Sequence, residues 1–246
     1  MRNITETVKH LLIINVLFFI ASLTLGQVAY DIFALHYPSN PKFHFWQPLT
    51  HMFMHGDVGH IFFNMFGLYM FGNPIEQMWG KNKFIFFYLS TGFGAAALQL
   101  GLYYFQVSQV SDLLFAEGLN AFQVAQFYET RDLSMNVVER IGREPLLNGL
   151  SAFNSVMVGA SGALYGVLVA FAFLFPNARL MLLFPPIPVK AKVLVPLLIL
   201  GDLFFGFTSY SIGPIAHFAH VGGAVTGIIM MWYWKKNEFD NNRWDL

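Results

Sequence analysis

The stretch VGASGALYG, residues 158–166, carries a serine, Ser161, between two glycines and with no charged residue nearby. A serine hydroxyl is a weak nucleophile until an adjacent base takes its proton. Glycine and serine also let two helices pack closely in a membrane, so the same pattern is typical of plain helix packing. The stretch alone leaves both interpretations open, and the other polar residues must decide between them.

The composition predicts a chain that lies in a lipid bilayer. Of its 246 residues, 56% are hydrophobic and 11% are charged, whereas soluble domains carry about 25% charged residues. The net charge is zero, which gives no argument for a nucleic-acid partner. The chain has no cysteine, which excludes disulfides, zinc–thiolate sites and thiol nucleophiles.

Six segments are apolar over the length of about 20 residues that a membrane-spanning helix needs. They cover residues 11–30, 58–78, 84–106, 156–176, 191–208 and 215–234. We therefore predict an all-α, polytopic membrane protein with a six-helix bundle over 11–235, an N-terminal segment 1–10 and a C-terminal tail 236–246. Inside a long outer insertion at about 107–155, NAFQVAQFYE and LSMNVVERIG are interpreted as short amphipathic helices on the outer leaflet.

The distribution of positive charge predicts that both chain ends lie on the inner side. With the N-terminus inside, the inner segments hold ten Lys and Arg residues and the outer segments four. An excess of Lys and Arg marks the cytoplasmic side of a multi-pass protein. We expect such a protein in the inner membrane of a bacterium.

Three of the predicted spans bring polar side chains to one layer near the outer surface. Ser161 lies about 8 Å into span four at 1.5 Å per residue, and His220 lies at a similar depth in span six. Span two contributes His60 and Asn64, which are four residues apart and share a helix face. Polar groups inside a membrane are costly and mark functional sites by default, so we expect these four side chains to converge.

Acyl transfer is the chemistry that suits this set. Histidine is the residue type that most often serves as a general base and then as a general acid, and His220 is the histidine of span six that is deep enough to reach Ser161. The oxyanion that forms needs donors, and the Asn64 amide, His60 and the backbone N–H of Ser161 are the candidates. Tyr165, one turn after Ser161, is placed to brace the imidazole by ring contact.

Glycines accompany both the serine and the histidine. Gly223 and Gly227 follow His220 on its own helix face, and span four offers Gly162 and Gly166. Small residues at this spacing let two helices approach closely, and a hydrogen bond between Ser161 and a base on another helix needs such an approach.

Other chemistries fit less well. The histidines of HMFMHGDVGH and HFAH share helix faces, but no HExxH pattern accompanies them, and we predict neither a metal nor a cofactor. GASG differs from the G-x-S-x-G elbow of soluble hydrolases, which needs a preceding strand. Asp202 in span five is conceivable as a third member of the site, but we favour a group that is hydrogen-bonded to a neighbouring helix or exposed to an outer aqueous cavity. Glu76 is interpreted as structural.

As a set, these motifs resemble the rhomboid family of intramembrane serine proteases over about residues 10–235. The matching parts are GASG with Ser161, AHVGGAVTG with His220, Gly223 and Gly227, and HMFMHGDVGHIFFN with His51, His55, His60 and Asn64. The six spans and the long aromatic first loop, about residues 31–57, also agree with the family.

The resemblance implies a Ser–His dyad that does not require an acid. Ser161 would be the nucleophile and His220 the base, with the oxyanion held by His60, Asn64 and the Ser161 backbone. The family's roles carry over to four more positions. Tyr165 would pack on the base, Gly159 would let backbone come near the substrate, and His51 and His55 would help to hold the first loop and water access.

The resemblance further implies single-span membrane proteins as substrates, cleaved in or near the outer part of the bilayer. Span five and the loop before span six are the suspected route of access, here with Phe204, Phe205 and Phe207. The chain departs from the family in two places. Gln47 follows Trp46 where an arginine is common, which puts the bracing of the first loop in doubt, and the 107–155 insertion is long.

We therefore predict a serine endopeptidase whose partners are transmembrane substrates and the lipid bilayer. A non-catalytic rhomboid-like protein that binds membrane clients is the main alternative. A small transporter or proton relay that uses histidine and Asp202 is a further one. The sequence does not indicate the oligomeric state.

Overall fold

A computed structural model describes residues 4–181, 186–208 and 216–237 of the chain. The helices are α1 (Glu6–Leu25), α2 (Gln27–Phe33), α3 (Gln47–Thr50), α4 (Val58–Gly67), α5 (Asn73–Trp79), α6 (Lys81–Ala116), α7 (Ala121–Thr130), α8 (Met135–Ile141), α9 (Arg143–Asn154), α10 (Ser161–Leu174), α11 (Ala191–Phe207) and α12 (His217–Asn237). Within the described residues, a short antiparallel ribbon departs from the predicted all-α class. It pairs β1 (Arg179–Met181) with β2 (Pro188–Lys190).

Each predicted span overlaps a main helix, but several boundaries differ. Span two is a continuous helical run in which a π-type turn, Leu68–Gly72, joins α4 to α5. By length and composition, two of the described helices, α1 and α6, are long and apolar enough to cross a membrane, and α10 is a shorter apolar helix. The predicted start of span six at residue 215 and the tail from 238 lie outside the described residues.

The bundle centre is formed by α6, α10 and α12, which touch through glycines. A Cβ atom on Gly223 of α12 would lie 1.9 Å from the carbonyl oxygen of Gly162, and one on Gly227 would lie 3.0 Å from the Cα atom of Gly166. The other side of α10 meets α6 as closely, since a Cβ on Gly162 would lie 2.4 Å from the Ala95 Cβ atom. The backbones of α10 and α12 are therefore in direct contact.

The outer insertion folds onto the extended end of α6. The two predicted helices are present as α7 and α8, and α9 follows them. Their buried side chains pack with α6 residues in one apolar cluster, which includes Val107, Val110, Leu114, Val124, Phe127, Tyr128, Val137, Leu146 and Phe153. The buried faces of α7 and α8 are therefore covered by protein, whereas Phe122 and Met135 stay exposed, and the placement of the two helices on the outer leaflet stays a prediction.

Gln47 braces the first loop in place of the arginine that is common in the family. It is fully buried, and its amide nitrogen donates to the carbonyl oxygens of Lys42 at 2.8 Å and Asp31 at 3.1 Å. Its amide oxygen accepts the backbone N–H of His36 at 3.3 Å. Trp46 adds a bond from its indole N–H to the Ile32 carbonyl at 2.8 Å. Neutral side chains thus supply these ties, and an ion pair of 3.0 Å between Lys42 and Asp31 adds to them.

The braced loop determines where α10 begins. Leu35 and Met157 exchange backbone hydrogen bonds of 3.0 and 2.9 Å, and the Gly159 N–H donates to the His51 carbonyl at 2.9 Å. These bonds hold the segment before Ser161 out of a helix. The prediction that span four is helical from residue 156 was therefore wrong. Ser161 is the first residue of α10, whereas the prediction placed it more than one helical turn after the start of the span.

Glu76 has the structural role expected for it. Its carboxylate accepts the backbone N–H groups of Thr7 at 2.8 Å and Val8 at 2.9 Å, and it also accepts the Thr5 hydroxyl. The first N–H groups of a helix lack intrahelical acceptors, so Glu76 caps α1 from a distant part of the chain and fixes α5 against it.

Candidate active site

Ser161 and His220 meet at the ends of two helices. Ser161 opens α10, and His220 lies in the first turn of α12. The Ser161 Oγ atom is 2.8 Å from the Nε2 atom of His220, which is a hydrogen bond of normal length. The glycine contacts described above make this approach possible, because they let α10 and α12 pack backbone to backbone.

Asp202 of α11 lies on the other side of the His220 ring. Its Oδ1 atom is 3.0 Å from His220 Nδ1 and 2.6 Å from His217 Nδ1. Asp202 is buried. It is hydrogen-bonded to neighbouring helices, which is one of the two placements favoured from sequence. Its bond to His220 also joins it to the candidate base, and a third member of the site needs that placement.

Tyr165 contacts both groups. Its ring stacks on the His220 imidazole with a centroid distance of 4.3 Å and an interplanar angle of 9°. Its hydroxyl donates to the Oδ2 atom of Asp202. The stacking is the ring contact expected from sequence, whereas the hydroxyl bond and the part played by His217 were missed. The HFAH spacing drew attention to His217 only as a possible metal ligand.

A small space beside Ser161 is bounded by Gly159 and His60. Gly159 has φ of +126°, and a Cβ atom there would lie 2.8 Å from His60 Nε2 and 3.5 Å from Ser161 Oγ. The Nδ1 atom of His60 accepts the backbone N–H of Gly56 at 3.4 Å. An imidazole that accepts at Nδ1 carries its proton on Nε2, so His60 directs a donor into this space.

The start of α10 lies beside the same space, since a Cβ atom on Gly159 would lie 3.5 Å from Ser161 Oγ. The first N–H groups of a helix have no intrahelical acceptor, and the helix dipole gives this end a partial positive charge. Because Ser161 is the first residue of α10, its own N–H group is one of these donors. Because α10 starts at Ser161 and not at residue 156 as predicted, its positive end lies beside Ser161, where it favours an anion.

Asn64 is buried one turn after His60 on α4. Its side-chain nitrogen donates to the His60 carbonyl at 2.9 Å, which is a bond within its own helix. An amide group has a second N–H, and only that one is available for a bound oxyanion.

His51 and His55 are buried near the site in the first loop. Burial lowers the pKa of each to about 4, and nearby His60 adds to this effect on the pKa of His55. His51 Nδ1 is 2.9 Å from the Gln47 carbonyl, but neither ring nitrogen of His55 has a hydrogen-bond partner among the described residues. Such buried polar atoms are typical partners of internal water, which fits the water access that the resemblance implies.

The Asp202, His217 and His220 side chains form the one group of possible metal ligands found in the described ranges, with their ligand atoms within 4.8 Å of one another. No metal was predicted from sequence. The two nitrogen–oxygen distances of 2.6 and 3.0 Å are those of hydrogen bonds. We therefore interpret the three side chains as a hydrogen-bonded network.

The phenylalanines of the suspected route of access lie at the C-terminal end of α11. Phe204 and Phe207 are exposed. Phe207 packs edge-on against Phe218 of α12 at 5.1 Å, and Phe205 stacks on His217 at 5.8 Å. The loop that precedes α12, residues 209–215, was also expected to take part and lies outside the described residues.

Comparison with known proteins gives one family. The rhomboid domain matches residues 42–119 and 121–237. Rhomboid protein 1, mitochondrial, of Saccharomyces cerevisiae is 24% identical over 186 residues, which are 75% of this chain and 40% of that protein. RHOMBOID-like protein 12, mitochondrial, of Arabidopsis thaliana is 29% identical over 192 residues, which are 78% of this chain and 47% of that protein. The chain thus spans less than half the length of both relatives.

Proposed function

The chain belongs to the rhomboid family of integral membrane proteins, and from that premise we propose that it is an intramembrane serine endopeptidase. The observation that carries the proposal is the 2.8 Å hydrogen bond between Ser161 Oγ and His220 Nε2. A hydroxyl within reach of an imidazole is the arrangement that activates serine for nucleophilic attack.

The proposed reaction has two halves. Ser161 Oγ attacks the scissile carbonyl while His220 Nε2 takes its proton, and the carbonyl oxygen becomes an oxyanion beside Gly159. His60 Nε2–H, the Ser161 backbone N–H and the second N–H of Asn64 are the proposed donors to it. The imidazolium then gives its proton to the leaving amine. Water, deprotonated by the same nitrogen, then attacks the acyl-enzyme. The bond between the acyl carbon and Ser161 Oγ breaks, and His220 returns the proton to Oγ, which releases the carboxylic acid product and restores Ser161.

The proposed substrates are transmembrane proteins, since the rhomboid family acts on membrane proteins in the bilayer. We also propose the six-span bundle with both ends on the inner side. Large apolar side chains that are exposed on several helices support a bundle in lipid, among them Leu17, Leu23, Leu200, Phe204, Ile229 and Trp232. The excess of Lys and Arg in the inner segments supports the orientation. The predicted bacterial inner membrane has no support from the two relatives, whose names place them in mitochondria, and the proposal commits to no compartment.

A non-catalytic rhomboid-like protein that binds membrane clients is the alternative. Such a protein has no need for a serine and an imidazole at hydrogen-bond distance. The proximity of Ser161 and His220 therefore favours the protease.

Cleavage of a single-span reporter in proteoliposomes tests the proposal. The reporter carries helix-destabilising residues near the outer end of its span. We expect cleavage by the unaltered chain and losses of about 10³-fold or more with Ser161→Ala or His220→Ala. Ser134→Ala is the matched control, because Ser134 is exposed and makes no capping bond. Cleavage that survives Ser161→Ala would refute the assignment.

A further inference from the structure

We propose that Asp202 is a positioning residue that holds His220 in the tautomer and orientation needed to activate Ser161. This inference rests on the proposed function and departs from the dyad that the family resemblance implies. It assigns a role to the hydrogen bond of 3.0 Å between Asp202 Oδ1 and His220 Nδ1.

The first step of the argument concerns the proton on the His220 ring. A neutral imidazole carries one proton, and it accepts from Ser161 only if that proton is on Nδ1. An ionised carboxylate only accepts hydrogen bonds. Oδ1 of Asp202 therefore selects the tautomer with Nδ1–H and leaves the Nε2 lone pair directed at Ser161 Oγ. Once Nε2 has taken the serine proton, the same carboxylate stabilises the imidazolium.

The second step concerns the carboxylate itself. Asp202 accepts the Tyr165 hydroxyl at Oδ2 and the His217 Nδ1–H at Oδ1, in addition to His220. A buried carboxylate is costly unless such donors compensate for lost water. These donors come from α10 and α12, while Asp202 is on α11. The carboxylate therefore has little freedom to turn away from His220.

The third step concerns the plane of the imidazole. The Tyr165 ring lies parallel to it at 4.3 Å, while the Tyr165 hydroxyl is bound to Asp202. The ring is thus held at its face by Tyr165 and at its edge by Asp202. Together these contacts determine both the proton position and the orientation of the base.

The competing explanation is that Asp202 only ties the helices together. Substitution of His217 distinguishes this structural role from the positioning role. His217 shares the same Oδ1 atom at 2.6 Å, but its other nitrogen is buried and has no partner within the described part of the chain. If Asp202 only ties α11 to α12, replacing either end of the tie by an amide, which can still form the bond between them, has similar consequences. If Asp202 positions His220, the loss of its charge has a separate effect on the chemical step.

The experiment compares Asp202→Asn with His217→Asn in the reporter cleavage assay. An asparagine at 202 offers an N–H where His220 needs an acceptor, which favours the wrong tautomer. We expect kcat to fall about 10²–10⁴-fold with KM little changed, as for a triad carboxylate replaced by its amide. An asparagine at 217 still donates from the place of Nδ1, so we expect a much smaller loss of kcat. Equal losses in the two variants would overturn the inference.

Nitrogen-15 NMR of histidine-labelled protein supplies a readout that does not depend on activity. We expect His220 with its proton on Nδ1 in the unaltered chain and a shift towards Nε2–H in Asp202→Asn. If Asp202→Asn shows this shift although the unaltered chain does not cleave the reporter, the positioning role holds and the protease function fails. If His220 keeps the same tautomer in Asp202→Asn, the positioning role fails. Should that variant not fold, the isosteric pair Asp202→Glu and Asp202→Gln repeats the comparison, with recovery expected only for Glu.

Discussion

Two histidines in the candidate site, His220 and His60, direct the same atom, Nε2, at the space around Ser161 Oγ. The Nε2 atom of His220 is without a proton, whereas that of His60 carries one. His220 is bound at Nδ1 by a carboxylate, so its Nε2 accepts, whereas His60 is bound at Nδ1 by the Gly56 N–H, so its Nε2 donates. The proposed base and the proposed oxyanion donor thus differ only in their partners. The residue type alone cannot supply this difference.

Gly159 offers a test of the space between them. We expect Gly159→Ala to lower kcat/KM by about 10²-fold or more, because the new Cβ would lie 2.8 Å from His60 Nε2 in the position proposed for the oxyanion. The backbone φ of +126° adds strain for any residue with a Cβ. The reporter cleavage assay measures the loss.

Gly101→Ala is the matched control for that change. A Cβ atom at Gly101 of α6 would meet no described atom within 4 Å apart from its chain neighbours and the adjoining backbone of its own helix. We expect this variant to cleave at the unaltered rate. Full activity in Gly159→Ala would contradict the proposed oxyanion position.

The buried histidines of the first loop predict how stability depends on pH. The pKa values of His51 and His55 are lowered to about 4 in the folded chain, against an ordinary value of 6.5. The unfolded chain therefore binds more protons between these values. Stability is fully present above pH 6.5 and is lost as the pH falls towards 4, by up to about 1.4 kcal/mol per pH unit for each histidine.

Unfolding in detergent, measured across this pH range, checks the effect. We expect His55→Asn to reduce the slope, since asparagine does not titrate. His10→Asn, at an exposed position of α1, is the control and should leave the slope as it is. An unchanged slope in His55→Asn would contradict the burial of a neutral imidazole.

At the scale of secondary-structure elements, the start of α10 shows what the sequence could not predict. Val156, Met157 and Val158 are apolar, so hydropathy includes them in the span. Their conformation is set instead by backbone bonds to Leu35 and His51, which are more than a hundred residues away in the chain. The meeting of Ser161 and His220 was predictable from the spans. The hydrogen bond from His220 to Asp202 was not, because it depends on the rotation of α11, which an apolar pattern leaves undetermined.

The contact of α10 with α12 gives a prediction at this scale. We expect Gly223→Ala to destabilise the bundle by about 1–3 kcal/mol or more, because its Cβ would lie 1.9 Å from the Gly162 carbonyl oxygen, a backbone atom that cannot move alone. The midpoint of thermal unfolding in detergent measures this, again against Gly101→Ala. Equal midpoints for the two variants would show that the helices are not in backbone contact.

At the scale of the whole molecule, the proposed topology can be tested because the chain has no cysteine. Single cysteines can therefore be labelled without background. We expect Lys42→Cys and Thr130→Cys to react with an impermeant maleimide from one side of sealed vesicles, and Lys81→Cys and Lys235→Cys from the other. These positions lie in the first loop, in the outer insertion, at the α5–α6 turn and near the end of α12. Any other division of the four positions would contradict the six-span arrangement.

Reaction of the protein with a fluorophosphonate probe tests the central claim most directly. Such probes bond to a serine whose hydroxyl is activated by a neighbouring base. Peptide mass spectrometry of the labelled chain should place the adduct on Ser161, with labelling abolished in Ser161→Ala and strongly slowed in His220→Ala. A chain that cleaves the reporter without an adduct on Ser161, or that labels equally in Ser161→Ala, would contradict the account.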